Sequence, residues 1–219
     1  PGVTSLFPDG HVINIHPWEY NEVPVMLAAA LKVDRPIVVL HLTRPGIEIP
    51  NREALGLASH FEAAKGAYVL RDYKEGPRHG CLFVHGTMST HGLLQALPEI
   101  DAAGVNVKLV AVPSPQLFAL QDEAYREATI TPADRMNSTF VTNGARRLMS
   151  DWTFNPLAGE YAMSSDFDDE WRVGGSVPEV CEDAHIDPAS LRDGVLRFAR
   201  DYEQRMERLQ AMLGAAAQV

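Results

Sequence analysis

Arg44 is the residue whose neighbours best equip it for chemistry. It ends the run Pro36-Ile37-Val38-Val39-Leu40-His41-Leu42-Thr43 and is followed by Pro45. Aliphatic residues without alternation read as a strand buried on both faces, as in a parallel α/β sheet. Proline bars further ladder bonding and sets a turn. Ligands of open α/β sheets bind beyond the carboxyl ends of strands. A guanidinium there offers a carboxylate or phosphate a planar fork of donors. From position alone, a surface ion pair at the sheet rim is an equally good reading.

Other groups weigh less. His85 and His91 lie six apart, each followed by glycine, with no cysteine or carboxylate at ligand spacing. They read as a loop histidine and a helix-start histidine rather than metal ligands. His41, inside the apolar run, reads as a core histidine satisfied by hydrogen bonding. The segment His85-Gly86-Thr87-Met88-Ser89-Thr90 follows a strand and opens a helix, so its amides are suited to an anion. It has one glycine where a dinucleotide fingerprint has three. Ser5, Ser114 and Ser176 lack a nucleophile elbow. Asp166, Asp168, Asp169 and Glu170 could gather a divalent cation, but without a calcium loop's glycine and glutamate they read as a solvated run. The residues thus supply one anion site and no complete catalytic constellation.

The 219 residues suffice for one large domain, or one domain and part of another. Hydrophobic content of 46% and charged content of 22% suit a protein with a sizeable core. A formal net charge of -10 with no basic run argues against nucleic acid. No apolar run is long enough to span a membrane, and no signal peptide opens the chain. Cys81 and Cys181 form no disulfide or metal pattern, which fits a reducing cytoplasm.

Positioning these groups requires alternating strands and helices. Residues 12–15 read as a strand closed by His16-Pro17. Val23, Met26, Leu27, Ala30 and Leu31 mark one helical face, with Asn21 as N-cap and Pro24 in the first turn. With the Arg44 strand they make one right-handed βαβ crossover. Too few strands accompany it to bury both faces, and the chain opens on Pro1, so residues 1–45 read as the end of a domain that begins earlier. Residues 46–64 read as an interdomain connection. Beyond it, 67–70, 81–84, 105–112, 139–142 and 161–164 read as strands. Segments 88–102, 114–125 and 146–152 read as helices, the first ended by Gly104. A final helix starts at Asp187-Pro188 and aligns Leu191, Val195, Phe198, Tyr202, Met206 and Leu209; the tail from Gly214 is expected to fray.

The segment Pro113-Ser114-Pro115-Gln116-Leu117-Phe118-Ala119-Leu120-Gln121-Asp122-Glu123-Ala124-Tyr125-Arg126-Glu127 closely resembles a signature of the transketolase C-terminal domain. That pattern is Pro-Ser, a phenylalanine, a glutamine three further on and then Tyr-Arg. Residues 65–70 and 105–113 resemble that domain's entering and central strands. His16-Pro17-Trp18-Glu19-Tyr20-Asn21-Glu22 resembles the Arg-Pro-Ala-Asp-x-Asn-Glu stretch of the pyrimidine-binding domain, and Leu42-Thr43-Arg44 its final strand. The resemblance is strong to Arg126 and faint beyond. Gly86-Thr87-Met88 departs from the family's Gly-Ser-Glu, and 137–175 departs throughout.

The resemblance implies an α/β fold: a mostly parallel open sheet flanked by helices in a C-terminal domain at 65–219, a linker at 46–64, and a pyrimidine-domain remnant at 1–45. It implies ketol transfer between sugar phosphates with thiamine diphosphate and magnesium or calcium in the parent enzyme. Arg44 would hold the substrate phosphate. Cofactor ligands, metal ligands and catalytic residues would precede this chain, leaving it inactive alone. The implied partners are a second copy in a homodimer and the N-terminal part of the enzyme. The alternative is a non-catalytic interaction module or separate subunit.

Overall fold

The computed structural model describes residues 3–4, 7–8 and 10–216. Pro1, Ser5 and the last three tail residues lie outside them. The chain builds two sheets. Strand β1 (Val12–Ile15), helix α1 (Glu22–Leu31) and strand β2 (Ile37–Leu40) form the expected crossover, with β1 and β2 parallel.

The second sheet contains β3 (Tyr68–Arg71), β4 (Gly80–His85), β5 (Val107–Ala111), β6 (Ser138–Thr142) and β7 (Met163–Ser164). Their spatial order is β3-β5-β4-β6-β7; only β3 runs antiparallel to its neighbour. The fold is therefore α/β with a mostly parallel sheet. Helices cover both faces, so the central strands are buried along their length, mostly with apolar side chains that alternate between two cores; Lys108, Ser138, Thr139 and Thr142 are the buried polar residues on β5 and β6. Leu82, Val84, Leu109, Ala111 and Val141 pack toward Leu93 and Leu97 of α2 (Thr87–Ala102) and Leu191, Val195 and Phe198 of α7 (Pro188–Arg200). Cys81, Phe83, Val110, Val112 and Phe140 face Phe118, Ile130 and Trp152.

Several segments differ from their sequence reading. The 114–125 helix is two, α3 (Pro115–Ala119) and α4 (Glu123–Thr129), because Asp122 accepts the Tyr125 amide at 2.7 Å and starts a new cap. Helix α5 (Pro132–Met136), with a Thr131/Asp134 capping box, and α6 (Val177–Asp183) are additional. The final helix breaks at Asp201 into α7 and α8 (Tyr202–Ala216). Asn21 stands at the α1 N-cap without a side-chain cap bond, and α1 buries Glu22, Met26 and Ala30 while Leu31 is exposed.

β2 is half-buried along its length, not buried on both faces, because among the described residues β1 is its one partner. It ends at Leu40, so His41 lies beyond the strand, half-exposed, with Nε2 3.1 Å from Asn14 Oδ1.

Candidate functional site

The two sheets meet where their strands end. His16 follows β1 and its amide donates to the Pro113 carbonyl beyond β5 at 2.8 Å. The Asn14 amide donates to Gln116 Oε1 at 3.1 Å. Thr43 Oγ1 donates to Thr87 Oγ1, at the first turn of α2, at 2.8 Å. Gly86 makes that turn possible: its φ is +91°, and a Cβ there would lie 1.9 Å from Asn143 Oδ1.

Three histidines converge at this junction. His16 and His41 stack with centroids 4.1 Å apart, and His85, the last residue of β4, lies 4.7 Å from His16. His85 Nδ1 is 3.1 Å from Thr142 Oγ1. Burial, reinforced by mutual repulsion, pushes the His16 pKa down to about 2 and His85 to about 4; His41 is also lowered by burial. All three are neutral at pH 7. His16 and His85 line a cavity of about 110 Å³ with Gln116, Arg147 and Asp151. The sequence reading of His85 as an isolated loop histidine missed this grouping. The available signal was that each histidine ends or follows a strand.

A second set of contacts ties the crossover to β3 of the larger sheet. Arg52 is buried and donates to Glu19 Oε1 at 2.9 Å, Glu22 Oε1 at 2.8 Å and Tyr68 Oη at 3.1 Å. Tyr68 Oη also donates to Glu22 Oε1, and Trp18 Nε1 donates to Tyr68 Oη at 3.0 Å. The Arg52 guanidinium stacks over Trp18 at 4.7 Å. Two carboxylates share one cation in a dry setting, and burial pushes the Glu22 carboxyl up to about 7 against the hydrogen bonds from Tyr68 and Arg52.

Arg44 stands at the rim of the junction, exposed and in no ion pair among the described residues. The surface ion pair weighed for it is absent there. Ser114 is buried and caps α3 by accepting the Leu117 amide at 3.3 Å; Ser176 belongs to the α6 capping box. The acidic run lies at the surface, as its composition suggested, with Asp168, Asp169 and Glu170 exposed; Asp169 meets Arg146 at 2.6 Å and Asp168 pairs with Arg172. His91 lies on α2, away from the three clustered rings. Among the described residues no group of His, Cys, Asp and Glu could hold a metal ion. No helix among them is long and apolar enough to cross a membrane.

Two mostly parallel units that meet near their strand ends, with the Arg44 guanidinium exposed and in no ion pair among the described residues, make an α/β protein with a candidate anion-binding junction. No family model matches the chain. Transketolase 1 of Pasteurella multocida is 34% identical over 115 residues, 52% of this chain and 17% of that protein. Geobacillus stearothermophilus transketolase is 31% identical over 121 residues, 54% of this chain and 17% of that protein. Among solved structures, Pichia stipitis transketolase in complex with sedoheptulose 7-phosphate superposes with a TM-score of 0.71 at 16% identity, over 93% of this chain and 27% of that one. A split-gene transketolase described as an inactive β4 tetramer gives 0.56 at 13% identity, over 90% of this chain and 59% of that one. The chain is a homologue of a C-terminal portion of transketolases. It spans about 17% of the length of these curated relatives.

Proposed function

We propose that this chain serves as the C-terminal portion of a thiamine diphosphate-dependent transketolase that moves a two-carbon ketol unit between sugar phosphates. The homology to transketolases carries the reading. Arg44 is its substrate-binding residue, gripping the sugar phosphate with charge-assisted bonds that a dianion strengthens. Its exposure at the carboxyl end of the crossover and its freedom from ion pairs among the described residues support that role. The domain division proposed is a pyrimidine-domain remnant at 1–45, a linker at 46–64 and the C-terminal domain at 65–219.

The cofactor and its metal are held by an N-terminal part, and this chain is inactive without it. The half-buried β2, with one partner strand among the described residues, is suited to continue into a larger sheet. A second copy of the chain completes a homodimer. The rival reading, a separate subunit or non-catalytic module, is favoured by one observation: the split-gene protein is itself described as an inactive tetramer and is matched over 90% of this chain.

Ketol transfer is assayed with thiamine diphosphate and magnesium, first on this chain and then with a transketolase N-terminal part added. Activity appearing with the added part supports the enzyme reading, and Arg44→Ala should then raise KM for the phosphorylated acceptor about tenfold or more. Activity of this chain by itself would refute its dependence on that part. Stable assembly with no activity would favour the module.

A further inference from the structure

The cavity beside the clustered histidines, about 110 Å³, opens where four strands end. His16 follows β1, His85 ends β4, Gln116 follows β5 and Arg147 follows β6. The larger sheet also changes direction at β4: the chain passes from β4 to β5 on one side of it and returns to β6 on the other. In open α/β sheets, ligands bind in the crevice beyond such a reversal. A cavity of this size has room for several waters or for one oxyanion head group. Arg44 does not line it.

The lining carries hydrogen-bond donors that the fold leaves unspent. Arg146 puts its charge on Asp166 and Asp169, whereas the exposed Arg147 guanidinium enters no ion pair or hydrogen bond among the described residues. Gln116 Oε1 accepts the Asn14 amide, which pins the side chain and leaves both protons of its Nε2 to donate. His16 is held by its stack on His41, and its ring nitrogens have no hydrogen-bond partner among the described residues. Solvent reaches these nitrogens, since none is among the sealed polar atoms that lack a partner. Burial keeps the His16 ring neutral, so it offers one N–H, which either tautomer can supply, and Arg147 brings the charge. Asp151 is the one carboxylate among the described lining residues and opposes an anion. The unspent donors call for a ligand rich in acceptors, and the guanidinium for one with negative charge.

We propose that this junction cavity binds a small oxyanion, the head group of a phosphate ester or a carboxylic acid, held by the Arg147 guanidinium, Gln116 Nε2 and the His16 ring. The site is separate from the function assigned to Arg44.

Inorganic phosphate and acetate are titrated separately into this chain, and backbone amide, glutamine side-chain and histidine ring resonances are followed by NMR. Saturating shifts are expected at His16, the Gln116 side chain and residues 147–150, and they should persist in Arg44→Ala. Arg147→Gln should weaken binding about tenfold, and Arg147→Lys less, since it keeps the charge. Gln116→Glu is the sharper variant. It keeps an acceptor for the Asn14 amide but replaces the free donor with a negative charge, so saturable binding should be lost. Circular dichroism checks that each variant is folded. Tighter phosphate points to a phosphate ester, and tighter acetate to a carboxylic acid. The proposal is overturned by no saturable shift at these residues with either probe, or by shifts that vanish in Arg44→Ala. Affinities of folded Arg147→Gln and Gln116→Glu within about twofold of wild type would overturn it as well.

Discussion

Acidification should loosen this protein through the histidines at the sheet junction. His16 and His85 stay neutral when folded, with pKa values near 2 and 4 against an ordinary 6.5. A folded-state pKa depressed below the unfolded one means that the unfolded chain takes up protons first. The associated stability is complete above pH 6.5 and is lost as pH falls below it. Between pH 7.5 and 5.0 each ring forfeits about 2 kcal/mol, or about 4 kcal/mol together as an upper bound. His41 is half-exposed and is left out of that figure. Arg147 and Asp151 share the cavity; the first opposes protonation and the second favours it. Glu22 acts in the opposite direction. Its raised pKa, about 7, means that the folded state gains a proton before the unfolded chain does, so its contribution improves on acidification.

A wild-type pH curve therefore mixes the two effects, and variants must separate them. Urea unfolding of wild type, His16→Gln and His85→Gln at pH 7.5 and 5.0 gives the pH-dependent loss for each. Each substitution is expected to reduce that loss by about 2 kcal/mol, whatever it does to stability at pH 7.5. A loss unchanged to within about 0.5 kcal/mol in both variants would mean that the rings are not held neutral by burial, and would refute the reasoning.

Two further outcomes test the packing that positions the junction. Gly66 has φ of +83°, and a Cβ there would lie 2.3 Å from the Phe118 amide nitrogen and 2.4 Å from the Ser114 carbonyl oxygen. Since those are backbone atoms, Gly66→Ala should cost about 3 kcal/mol or more in urea unfolding, and a loss below about 1 kcal/mol would contradict that contact. Arg52→Met leaves Glu19 and Glu22 buried without their cation, so about 3–5 kcal/mol should be lost at pH 7.5, with part regained near pH 5 as Glu22 protonates. Calorimetric melting at both pH values would show it, and equal losses at both would contradict it.

The strands of the larger sheet were legible in the chain because burial on both faces demands apolar runs without alternation, as at 81–84 and, with Lys108 the one polar residue, at 107–111. Proline and glycine likewise marked real ends at Pro113, Gly104 and Asp187-Pro188. The transketolase likeness was readable in the Pro113–Glu127 segment, and the homology bears it out. Short capped helices such as α5 and α6 were not, because they carry too few turns for a periodic stripe; their capping boxes were the remaining local sign. Nor did local pattern reveal that β2 is half-buried, since burial depends on how many strands stand beside it.

Arg44 could be singled out from sequence as a candidate because its chemistry and its place after a strand are both local facts. The junction itself belongs to tertiary structure. His16, His41 and His85 are spread over 70 positions; His16 and His41 stack because parallel β1 and β2 end side by side, and His85 joins them because the second sheet ends at the same place. Glu22 reads as an ordinary helix-start carboxylate until Arg52 and Tyr68, distant in the chain, close over it. Residue type and spacing determined which elements form and where they stop. Long-range packing decided which side chains lose water together, and with that loss their charge state and their capacity to bind.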